Sequence, residues 1–117
     1  MTEYEQYQQA RELMSQGRYE EAIVLFEQNI KVYPHFKELE LLGECLMHLG
    51  RLAEAIVPLA AATTLNRGVK APSLLAEVFL SLGYVSDARQ MAEIALGQDP
   101  RNRKALLIKE QVGEKPV

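Results

Sequence analysis

Leucines at positions 39, 42, 46 and 49 recur at spacings of three and four, the period of one helical face, and predict a helix over residues 37–49. Gly50 follows and predicts its end, because glycine takes a left-handed C-terminal conformation without steric cost. A second apolar stretch, residues 52–65, opens immediately afterwards as a partner helix. GRYEEAIVLFEQNI and GRLAEAIVPLAAAT are two versions of one turn and second helix. Pro34 and Pro100 close second helices, since proline supplies no N–H to continue one. Pro58 falls inside residues 52–65, where the lost hydrogen bond predicts a kink costing ~3 kcal/mol. The small side chains beside it, Ala60, Ala61 and Ala62 with Thr63 and Thr64, predict close packing on a neighbouring helix of the same chain.

The pattern repeats. Gly17, Gly50 and Gly83 are 33 residues apart. Seven residues before each glycine stands a small residue (Ala10, Gly43, Ala76), and four before stands a large apolar one (Leu13, Leu46, Phe79). Two after come Tyr19, Leu52 and Val85; five after, Ala22, Ala55 and Ala88; nine after, Phe26, Leu59 and Ala92; twelve after, Asn29, Ala62 and Ala95. Pro34 and Pro100 are seventeen after, with Arg67 in the middle copy. Small residues at one register in every copy predict a close helix crossing. After Pro100, residues 101–112 form one more amphipathic helix, with Ala105, Leu106, Ile108 and Val112 toward the repeats and Arg101, Arg103, Lys104 and Lys109 toward water. The expected architecture is all-α: an α-solenoid of three helix-turn-helix units plus a capping helix, seven helices in all.

Composition narrows the function. A chain of 117 residues, 48% hydrophobic and 25% charged, fits one globular domain with one core and excludes a two-domain enzyme. The net charge of −3 argues against nucleic acid and anionic membranes as partners. Charge is uneven: residues 1–100 are net −6 and residues 101–117 net +3. Cys45 stands alone, which excludes an intramolecular disulfide and a cysteine-rich zinc module. The polar N-terminus and short apolar runs predict neither a signal peptide nor a membrane span, so a reducing, cytoplasmic setting is expected. Met1 and the capping helix predict a complete domain.

These small, glycine, alanine and proline positions resemble those of the tetratricopeptide repeat family across residues 3–112. The departures are a period of 33 rather than 34, Gln6, Leu39 and Pro72 in place of the early aromatic, and Gln9 in place of a leucine. Ankyrin repeats share the period, but their Thr-Pro-Leu-His signature is absent. The resemblance implies a right-handed superhelix and divides the chain into repeats at about 3–35, 36–68 and 69–100, a cap at 101–112 and a frayed tail at 113–117.

The resemblance implies a non-enzymatic interaction module, an adaptor or scaffold holding an extended peptide or helix in a concave groove lined by first helices. By register the groove residues are Tyr4, Tyr7, Arg11 and Met14; Lys37, Glu40, Leu41, Glu44, Met47 and His48; and Lys70, Ser73, Leu74, Glu77 and Leu80. Lys104, Leu107 and Gln111 extend it onto the cap. The tyrosines offer anchoring area, Glu40, Glu44 and Glu77 an acidic band, and Leu41, Met47, Leu74 and Leu80 apolar pockets. The expected partner is a protein segment with apolar and basic side chains; the chain itself is a monomer or weak homodimer. Some family members clamp the carboxylate terminus of heat-shock chaperones with Lys, Asn and Arg; here those positions hold Tyr7, Arg11, Leu41, Lys70 and Leu74, and only Lys70 matches. Self-assembly and a secretion-type chaperone are the alternatives. No cofactor, metal or catalytic group is expected: Glu44, Cys45 and His48 share a helical face but are too few for a metal, and Cys45 reads as core. His35, after Pro34, reads as a surface residue.

Overall fold

The computed structural model describes residues 1–113; residues 114–117 of the expected tail lie outside the described residues. Among the described residues the chain forms seven helices: α1 (Glu3–Ser15), α2 (Tyr19–Val32), α3 (Phe36–His48), α4 (Leu52–Leu65), α5 (Lys70–Ser81), α6 (Val85–Gln98) and α7 (Arg103–Val112). Each packs on the next in chain order. The odd-numbered helices also meet directly, α3 with α5 and α5 with α7.

The three glycines close the helix pairs in one geometry. Gly17, Gly50 and Gly83 have φ of 75°, 74° and 85°. At Gly50 the N–H donates to the Met47 carbonyl at 3.0 Å, and the Arg51 N–H reaches back to Leu46 at 2.9 Å. The same two bonds occur at Gly17 (to Met14, with Arg18 to Leu13) and at Gly83 (to Leu80, with Tyr84 to Phe79). Orphan carbonyls at each helix end are thus satisfied while the chain reverses. The next residue's carbonyl accepts the first bond of the second helix, from Ala22, Ala55 or Ala88.

Behind each turn the helices cross on small residues. Ala10, Ala22, Ala55, Ala76, Ala88, Ala92 and Ala95 are all fully buried. A Cβ on Gly43 would lie 2.5 Å from Leu59 Cδ2, and Leu59 is itself fully buried. One core runs through the first two units into α5. An alanine-rich cluster around Ala76, Ala92 and Ile108 seats α7.

Some boundaries differ from the sequence reading. α3 begins at Phe36, because the His35 Nδ1 accepts the Lys37 N–H at 3.1 Å and caps it. α7 begins at Arg103 rather than at 101, because Asn102 Oδ1 caps it by accepting the Ala105 N–H at 2.9 Å. α4 continues through Pro58 from Leu52 to Leu65. Ala62 is buried against Leu39 and Ala71, the neighbour contact expected of that stretch.

Gly43→Ala sets overpacking of about 1–3 kcal/mol against a gain of ~1 kcal/mol in helix propensity. It is expected to destabilise the wild type yet stabilise a Leu59→Ala background, measured by urea unfolding. Equal signs in the two backgrounds would show that this crossing is not limited by space.

Candidate functional site

The expected groove residues divide between two concavities. The first, about 340 Å³, joins Tyr4, Tyr7 and Lys37 to Glu3, Tyr33, His35 and Glu38. The second, about 350 Å³, joins Glu44, Met47, His48, Leu74 and Glu77 to Leu52, Ser81 and Lys104 of the cap. Arg11, Met14, Glu40, Leu41, Lys70, Ser73 and Leu80 border neither cavity.

In the first concavity Tyr4 is largely exposed, and its hydroxyl accepts from Gln8 Nε2 at 2.7 Å. Tyr7 is half-buried, edge-on to Phe26 at 6.5 Å, with the Arg11 guanidinium 5.7 Å from its ring centroid. Tyr33 and His35 flank Pro34 in the α2–α3 connection. Counting positions along first helices alone missed them, although an aromatic pair around a proline was visible in the sequence. His35 is exposed as expected, and it both caps α3 and borders this cavity. Glu38 is buried and held by Asn29, whose Nδ2 donates to Glu38 Oε1 and to the Glu3 carbonyl, each at 2.8 Å.

In the second concavity His48 is exposed and stacks on Tyr19, with ring centroids 4.6 Å apart. Met47 is half-buried. Glu44 lies 2.6 Å from Lys70 in an ion pair outside hydrogen-bond angles, and Lys104 donates to Glu77 at 2.7 Å.

The acidic band therefore needs correction. Glu44 and Glu77 are neutralised across the α3–α5 and α5–α7 seams. Glu40 is buried, only 3% exposed. Leu41 and Leu74 belong to the core, with Leu74 showing an edge to the second cavity. Ser73 is buried and donates to the carbonyl of Lys70 at 2.9 Å. The physical reason is common to all four: each lies where α3 and α5 pack against their neighbours, so helical register alone did not separate groove floor from groove surface. Met14 packs on the core and Leu80 on the cap cluster. Leu107 and Gln111 are exposed on α7 outside both cavities.

Burial pushes the Glu40 carboxyl above its ordinary value; Lys70 and then Lys37 oppose this, and Glu44 adds to it. Burial, with Glu44 adding, pushes the Cys45 thiol up to about 12, and the sulfur is fully enclosed. No group of three or more metal-binding side chains occurs among the described residues. No helix among them is long and apolar enough to cross a membrane.

Paired helices in a row, with first helices presenting a two-cavity face, define an α-solenoid repeat protein. The model of the tetratricopeptide repeat matches residues 7–68, more than half of the chain, and the chain belongs to that family. The first TPR domain of Spaghetti (RPAP3), solved bound to an HSP90 peptide, is similar at TM-score 0.88 and 21% identity, covering 94% of this chain and 89% of that one. The second TPR domain of human RPAP3, solved with an HSP70 peptide, gives 0.88 and 19%, covering 97% and 100%. The Yersinia enterocolitica type III secretion chaperone SycD, solved with a peptide of the translocator YopD, gives 0.80 and 19%, covering 93% and 85%. No curated protein matches the sequence.

Two measurements check the electrostatics. The folded protein holds the Glu40 proton to higher pH than the unfolded chain does. Its contribution to stability is therefore present below about 4.3 and lost as pH rises through the raised folded-state value. Glu40→Gln is expected to raise Tm at pH 7, with the gap to wild type closing toward pH 4; a constant gap would contradict the assignment. Cys45 is expected to resist a thiol-disulfide reagent at pH 8 in the native protein and to react fully in urea.

Proposed function

We propose that the chain is a non-enzymatic binding module that holds an extended peptide or helix of another protein along its first-helix face. The observation that carries this reading is the pair of cavities on that face, each joining residues of several helices. Both combine apolar or aromatic walls with a few charged groups, the make-up of a recognition site. Structures of similar fold, those of RPAP3 and SycD, hold peptides of HSP90, HSP70 and YopD. The segment proposed here carries apolar side chains for the second cavity and a basic residue for the first, where Glu3 and Glu38 outnumber Lys37. Chaperone-tail clamping is not part of the proposal. The clamp positions hold Tyr7, Arg11, Leu41, Lys70 and Leu74, and Lys70, the one that matches, is engaged by Glu44. The module works as a monomer or weak homodimer.

The test is selection of ligands from a displayed peptide library on wild-type protein, followed by two groove variants. Tyr4→Ala removes an exposed anchor, and Ser81→Arg fills the second cavity from an exposed position. The double variant is expected to keep its helical circular dichroism and lose binding by about ten-fold or more. Ligands that bind both proteins equally would place recognition elsewhere on the molecule.

A further inference from the structure

Glu38 is a carboxylate 9% exposed. Among the described residues it has no cationic nitrogen within 4.0 Å. A carboxyl anchored at a cavity wall with no cation in reach offers its oxygens to an incoming donor. Its position is fixed from three helices at once. Asn29 of α2 bonds Glu38 of α3 and the Glu3 carbonyl of α1, each at 2.8 Å. Four of the other six residues lining the 340 Å³ cavity are aromatic, Tyr4, Tyr7, Tyr33 and His35; the remaining two are Glu3 and Lys37, so its two acids outnumber its one base. Electron-rich faces around an anchored carboxylate select a cation that is both weakly hydrated and a hydrogen-bond donor. A guanidinium satisfies both conditions, since it stacks on aromatic rings and donates in a planar fork. A primary ammonium is more strongly hydrated, and a quaternary ammonium has no N–H for Glu38.

We infer that the Tyr4–Tyr7–Tyr33–His35 cavity is a guanidinium pocket, in which Glu38 receives the side chain of an arginine. The inference deepens the groove reading and rests on it for the source of that arginine, the bound protein segment. The pocket itself is testable with a small probe.

The experiment is a nuclear magnetic resonance titration of the full chain with N-acetyl-arginine amide, N-acetyl-lysine amide and tetramethylammonium. The arginine amide is expected to give saturable shifts at Tyr4, Tyr7 and Tyr33, with the other two probes weaker by about five-fold or more. Glu38→Gln keeps an acceptor for Asn29 and removes the charge, and is expected to weaken the arginine amide by a similar factor. Tyr33→Ala changes an exposed ring outside the core and is expected to weaken it too, which serves if Glu38→Gln fails to fold. Absence of saturable shifts, equal binding of lysine amide or tetramethylammonium, or unchanged affinity in the foldable variants would overturn the inference. Library peptides that bind through the second cavity while the arginine amide leaves the first untouched would sink this inference alone. An arginine amide that binds while no peptide occupies the groove would sink the groove reading alone.

Discussion

The structure depends on one backbone constraint, a residue held at positive φ at the end of each first helix. Only glycine takes that conformation without a steric penalty. Because the glycine and its successor both bond back into the finished helix, the chain reverses within two residues and the second helix starts at a set angle. Arg18, Arg51 and Tyr84, the residues after the glycines, serve as N-caps without any side-chain cap bond, so the turn itself starts the helix. In the second copy that angle brings position minus seven against position plus nine, and the crossing limits their combined size. Gly43 faces Leu59, while Ala10 shares a core with Phe26 and Ala76 with Ala92.

With the pairs set, neighbouring units are joined along the first-helix face in two different ways. Toward the C-terminus the joints are ion pairs, Glu44 with Lys70 and Glu77 with Lys104. All four side chains are partly exposed, so the pairs add little stability, about 0–1 kcal/mol each. Their consequence is electrostatic: they remove net charge from the second cavity. Toward the N-terminus the joint is the buried amide network of Asn29, which holds Glu38 at the wall of the first cavity with no cation paired to it among the described residues. The face is therefore polarised along its length, from an aromatic, anionic end to an apolar, neutralised one.

The helices and their crossings were legible in the sequence because they depend on local chemistry. Glycine spacing, apolar periodicity and small residues at one register act over a few turns, and each left a mark at a fixed interval. Tyr4, Tyr7, Met47 and Glu77, which the resemblance and the helical register together assigned to the groove, line the two cavities. What the sequence showed at Asn29 was only a polar residue where the other copies carry Ala62 and Ala95.

Its partners, Glu38 and the Glu3 carbonyl, come from two other helices, and no spacing rule connects them. Tertiary packing alone also decided that Glu40 and Leu41 are buried, that Lys70 and Lys104 occupy the acids, and that Tyr33 and His35 turn a connection into a cavity wall. Helical period reports the direction of a side chain around its own axis; whether that direction meets water, a neighbour or a counter-ion depends on helices that lie apart in sequence.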